Sequence, residues 1–160
     1  MELPPHNRDA EESLLSCCIN GGDNLTFEKV CKTLSTTDFY FEEHQQLWDS
    51  LCELSNDSKP IDIVTVTEVA KHKNDELIHT IINLSTLNRS SLALLEYANI
   101  ILDKSKLRVM RRQYTMALEK INTGDSPDDI LDEVNAEIES VKPQQKDTTH
   151  IKNSLDLISE

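Results

Sequence analysis

The chain has 160 residues, a formal net charge of −13 at pH 7, 38% hydrophobic and 4% aromatic residues, and only three glycines. A chain of this length buries enough surface for one compact domain, with or without an appendage, and needs no disulfide or metal to fold. The acidic balance argues against a segment that grips nucleic acid through clustered lysines and arginines, and it suits protein partners. Few glycines and many helix-forming residues favour helices over sheets.

The cysteines and the N-terminus indicate an intracellular setting. Cys17, Cys18, Cys31 and Cys52 form no CxxC pair, and no histidine lies at the spacing of a zinc finger. We interpret them as buried, reduced thiols. The N-terminus lacks the basic-then-apolar pattern of a signal peptide, and no apolar run approaches the roughly 18 residues of a membrane span. The sequence therefore predicts a cytoplasmic protein without a membrane segment.

Three helices are predicted in the first third of the chain. The first runs from about Arg8 to Asn20, with Asn7 as its cap, and it ends at the turn signal of residues 21–24. A second helix follows through Phe27 and Leu34. The third has apolar residues at helical spacing. Its face consists of His44, Leu47, Trp48, Leu51 and Leu54.

The stretch from Ile61 to Thr67 allows two interpretations. Its β-branched residues are typical of a strand, whereas Thr65 followed by Glu68 is the pattern of a capping box at the start of a helix. No second strand is available nearby, so the sequence favours an extended lead-in at residues 60–63 and then a short helix. A further helix is predicted over Glu76–Leu87.

A long helical hairpin is predicted next. From Ser90 to Asn122 the chain contains no glycine or proline, which allows one helix of about thirty residues, roughly 45 Å long. Gly124 then supplies a C-terminal glycine, Ser126 a cap and Pro127 a first helical residue. The sequence thus predicts an all-α fold: a compact helical head at residues 1–89, a long antiparallel α-hairpin at 90–142, and a linker with the start of another helix at 143–160.

Apolar residues cover two faces of the first hairpin arm, whereas packing against one partner arm requires a single stripe. The second stripe is explained either by cover from the head or by another chain. Beyond about Lys106 the head should no longer reach, so the sequence favours self-association. The predicted oligomer or partner interface consists of Leu107, Met110, Tyr114 and Leu118 on the first arm, and Ile130, Leu131 and Val134 on the second.

Basic residues also cluster on the first arm. Nucleic-acid contact through Arg108, Arg111 and Arg112 is one interpretation. The favoured one is that antiparallel pairing places the cluster beside Glu137 and Glu139, where ion pairs set the register of the arms more than their stability. The whole cluster consists of Lys104, Lys106, Arg108, Arg111 and Arg112.

No pattern in the sequence indicates catalysis. A phosphate-binding loop needs glycines followed by Lys-Ser or Lys-Thr, and Gly21, Gly22 and Gly124 lack that continuation. A nucleophile elbow is also missing from the sequence. We interpret Asp38 as a cap for the turn that follows it, and His44 as a helix-end histidine bonded to nearby backbone, with a polar contact in a partner site as the alternative. No catalytic residue, cofactor or metal is therefore predicted in this segment.

Three short blocks together resemble, in order and spacing, the N-terminal domain of DnaB-type replicative DNA helicases. The resemblance covers roughly residues 3–141 and continues weakly into the tail. The blocks are Pro4-Pro5-His6 leading into Asp9–Leu15, then Asp38-Phe39-Tyr40 with His44 and Leu47-Trp48, then Pro60-Ile61-Asp62.

The resemblance implies a domain that performs no chemistry. In such helicases a helical head precedes a hairpin, and the hairpins of neighbouring subunits pair into a six-membered ring built as a trimer of dimers. The domain holds the ring together and receives primase and loader proteins, while ATP, magnesium and DNA bind a separate motor domain. Residues 148–160 would then begin the linker helix, and the chain would be a fragment or a short, separately encoded relative.

A second hypothesis is a free-standing helical adaptor that binds a helicase or primase and regulates its loading. Under both hypotheses we expect a non-catalytic segment with weak or no DNA binding of its own.

Overall fold

A computed structural model describes residues 2–21 and 24–141; the predicted linker and the start of the linker helix lie outside the described residues. Within those two ranges the chain forms seven α-helices and two one-turn 3-10 helices, and no strand. This confirms the all-α prediction. The α-helices are α1 (Arg8–Asn20), α2 (Asn24–Cys31), α3 (Glu42–Asn56), α4 (Ile63–Lys71), α5 (Leu77–Thr86), α6 (Leu94–Thr123) and α7 (Pro127–Val141).

The chain divides into two compact units, Met1–Arg108 and Val109–Glu160, which meet within α6. We call them the head unit and the hairpin unit. The head unit contains α1 to α5 and the first half of α6, and the hairpin unit contains the second half of α6 and α7. The predicted boundary between residues 89 and 90 stays a prediction.

The core of the head unit is built around the one tryptophan of the chain. Trp48 is 1% exposed, and its ring lies 5.0 Å from Phe27 and 5.1 Å from Phe39 between centroids. Leu15 and Ile81, also predicted as core residues, are fully buried. Helix α1 begins where predicted, because the Asn7 side chain accepts a hydrogen bond of 2.9 Å from the Ala10 N–H.

The start of α4 differs from the predicted capping box at Thr65 and Glu68. Asp62 is the cap: its carboxylate accepts the N–H groups of Val64 and Thr65, at 2.8 and 2.9 Å. The Thr65 hydroxyl in turn accepts the Asp62 N–H at 3.0 Å. The β-branched run is therefore helical, because this reciprocal cap satisfies the free N–H groups of the first turn.

The turn between α6 and α7 lies where Gly124 and Pro127 predict it. Gly124 has a φ of 83°, a conformation that favours glycine, and its N–H donates to the Lys120 carbonyl at 3.1 Å. Helix α7 then begins at Pro127, and Lys120 forms an ion pair with Glu133 on α7. The buried side chains of this unit, up to Val141, are Gln113 and Ile130, 6% and 8% exposed.

The remaining predictions about composition concern cysteines and membranes. All four cysteines are free, and Cys17 and Cys18 are buried. Burial raises the pKa of the Cys18 thiol. None of the helices between residues 2 and 141 is long and apolar enough to span a bilayer.

Candidate functional site

The second half of α6 exposes a row of apolar side chains. Tyr114, Leu118 and Ile121 are 54%, 60% and 61% exposed, and Met110 is half-buried. Because these residues are three or four positions apart, they lie along one face of the helix. We call these four residues the hairpin stripe. Leu107, at the end of the head unit, is 44% exposed as well.

The predicted interface residues of α7 have different surroundings. Ile130 is buried within the hairpin unit, Val134 is half-buried and Leu131 is 59% exposed. Ile130 therefore helps to hold the two arms of the hairpin unit together, whereas Leu131 is available to another molecule. A cavity of about 410 Å³ at the turn is lined by Ile121, Asp125, Pro127, Ile130 and Leu131.

This arrangement is suited to protein association. Single exposed apolar side chains are normal on a protein surface, whereas a contiguous row marks a contact surface. Removing such side chains from water stabilises a complex by about 25 cal/mol per Å² of apolar area. A protein that covers the hairpin stripe would therefore gain binding free energy from the apolar area that leaves water.

Arg108 has a role inside the head unit that the sequence did not predict. Its guanidinium donates to the Pro5 carbonyl at 2.8 Å and to the Asp38 carbonyl, and the Ser105 hydroxyl donates to the Asp38 carboxylate at 2.7 Å. Burial lowers the pKa of Arg108, against the opposing charges of Glu11 and Asp38. Arg108 thus holds the first half of α6 to the segment before α1 and to the turn before α3. Its role in charge register or in nucleic-acid contact stays a prediction.

The other two arginines of the predicted cluster remain on the surface. Arg111 and Arg112 are exposed on α6, and their contact with nucleic acid stays a prediction. The ion pair between Lys120 and Glu133 shows that charges do pair across the arms of the hairpin unit. Because both side chains are open to solvent, such a pair adds little to stability.

A buried contact between two side chains of the head unit was missed by the sequence interpretation. His44 and Glu11 are 0% and 1% exposed, and the His44 Nδ1 lies 2.7 Å from a Glu11 carboxylate oxygen. The other Glu11 oxygen accepts the Tyr40 N–H at 2.8 Å. The interpretation of His44 as bonded to nearby backbone is therefore wrong. A signal was available: Glu11 precedes Leu14 and Leu15 by three and four residues, which places it on the apolar face of α1.

Asp38 caps the turn before it, whereas the sequence interpretation assigned it to the turn that follows. One carboxylate oxygen accepts the Ser35 N–H at 2.8 Å and the Ser35 hydroxyl at 3.0 Å, which closes the 3-10 turn Thr36–Asp38. In the described part of the chain, no group of three or more His, Cys, Asp or Glu side chains is placed to hold a metal ion.

Comparison with known proteins identifies relatives of this chain. Residues 3–103 match the family model described as the DnaB-like helicase N terminal domain. The chain is 30% identical, over 98% of its length, to the replicative DNA helicase DnaC of Bacillus subtilis and to the replicative DNA helicase DnaB of Geobacillus stearothermophilus. It spans only 35% of the length of either relative.

A solved structure has the same fold. The crystal structure of the N-terminal domain of DnaB helicase from Mycobacterium tuberculosis superposes with a TM-score of 0.71 at 24% identity. The match covers 86% of this chain and 99% of that chain.

Proposed function

This chain belongs to the family of DnaB-like helicase N-terminal domains, and we propose that it is the non-catalytic assembly and partner-docking domain of a replicative DNA helicase. The observation that carries the assembly part is the hairpin stripe, an apolar row left exposed within the hairpin unit. The chain spans 35% of the length of its helicase relatives, so the helicase activity itself is part of the proposal.

The proposed assembly step is pairing between the hairpin units of two copies. A two-fold pair presents the same surface on both chains, so each hairpin stripe covers the other. The proposed interface also includes Leu107 and Leu131, both of which are exposed. When a motor domain is attached, the pairs close into a hexameric ring as a trimer of dimers, in keeping with the resemblance.

The test replaces two central residues of the hairpin stripe. We expect the wild-type protein to form a dimer in light scattering or sedimentation at tens of micromolar. The double variant Met110→Asp/Tyr114→Asp should be a monomer, because a charge in the paired surface would be buried without a partner. The fluorescence of Trp48 should be unchanged, since the core of the head unit contains neither residue.

A matched control places the same charge elsewhere on the helix. Thr115 is exposed and adjacent to Tyr114, but it lies outside the hairpin stripe. Thr115→Asp should therefore leave the dimer intact. A wild type that is strictly monomeric would assign the hairpin stripe to a different partner and favour the adaptor hypothesis.

Partner docking is the second part of the proposed function. Primase and helicase loader are the proposed partners, and this part is supported by family membership alone. Titration calorimetry of the purified chain with the primase and the loader of the same organism would test it. Absence of heat with both proteins would contradict this part and leave the assembly part untouched.

The chemistry is proposed to reside outside this segment. We expect residues 1–160 to hydrolyse no ATP and to separate no strands, because ATP and magnesium would bind the motor domain. Single-stranded DNA should bind weakly or not at all at near-physiological salt, given the net charge of −13. Submicromolar binding that disappears in Arg111→Ala/Arg112→Ala would instead identify the basic cluster as a DNA contact.

A further inference from the structure

We draw no further inference here: the strongest candidate, the apolar cavity of about 410 Å³ at the turn of the hairpin unit, belongs to the apolar surface already described, and nothing in the structure shows what covers it.

Discussion

In the head unit the large apolar side chains are mostly buried, whereas in the hairpin unit, as far as Val141, Ile130 is the one that is buried. Leu47 and Leu51 on α3 are 0% exposed, but Leu118 and Ile121 on α6 are 60% and 61% exposed. The head unit surrounds each core residue with side chains from several helices. The hairpin unit consists of two arms, and a side chain on an arm can be covered by the other arm from one direction only.

The two units therefore differ in what their apolar side chains stabilise. In the head unit these side chains are buried against one another and stabilise the folded unit itself. The hairpin unit covers Ile130 and leaves Tyr114 and Leu118 in water. Substitutions should therefore change stability in the head unit and association in the hairpin unit.

The largest expected effect concerns the buried contact between Glu11 and His44. Glu11→Ala should lower the free energy of unfolding by about 4 kcal/mol, because His44 and the Tyr40 N–H lose their partner in a buried site. Chemical denaturation followed by Trp48 fluorescence measures this loss. The neighbour Glu12 pairs with Arg8 at a partly exposed position, so Glu12→Ala should cost less than about 1 kcal/mol. Equal losses would mean that the buried pair has no special role.

A pair of identical substitutions tests the comparison directly. Leu51→Ala in the head unit should cost about 3 kcal/mol, because Leu51 is 0% exposed and its removal leaves a cavity. Leu118→Ala in the hairpin unit should change the free energy of unfolding by less than about 0.5 kcal/mol at concentrations too low for association. At high concentration, Leu118→Ala should weaken the dimer. A large loss of monomer stability for Leu118→Ala would contradict the comparison.

Replacing Gly21 or Gly124 by alanine should destabilise the fold, for a different reason at each position. Gly21→Ala should cost about 2 kcal/mol in the head unit, because a Cβ would lie 2.8 Å from the Thr26 hydroxyl and 2.9 Å from the Cys17 carbonyl. At Gly124 a Cβ would meet nothing within 4 Å, and the φ of 83° alone disfavours alanine, by about 1 kcal/mol. Hydrogen exchange of α7 measures the second effect. Gly124→Asn should retain more protection than Gly124→Ala, since asparagine tolerates this conformation better.

The smallest effect is dependent on pH. Asp62→Ala should cost about 1 kcal/mol at neutral pH through the loss of the α4 cap. The hydrogen bond from the Thr65 N–H, with that from Val64, lowers the pKa of Asp62 below its ordinary value of about 4. The stabilisation is therefore present above that value and is lost as the pH falls through the lowered pKa.

Chemical denaturation at a series of pH values measures the free energy of unfolding of wild type and of Asp62→Ala. The difference between the two free energies should become smaller in acid. Asp62→Asn is the matched control, because its amide oxygen accepts the same hydrogen bonds without titrating. A difference between wild type and Asp62→Ala that is constant with pH would contradict the role of the carboxylate.

Local signals were sufficient for much of the fold. Asn7 before α1, and Gly124 with Pro127 at the hairpin turn, lie where the sequence places them. The cap of α4 was assigned three residues too late, at Thr65 instead of Asp62, because both residues have side chains that can cap. The residue that caps is the one with an extended backbone, here Asp62, and the residue types alone do not show which of the two that is.

The sequence by itself determined the all-α class, the helices and the apolar face of α6, because helix periodicity and caps act over a few residues. Only the tertiary structure decided that Glu11 meets His44 and that Arg108 bonds to Pro5 and Asp38. These partners are 33 to 103 residues apart in the chain. Burial of a charge is stable only when the packing of several helices brings a counter-charge or a carbonyl to it.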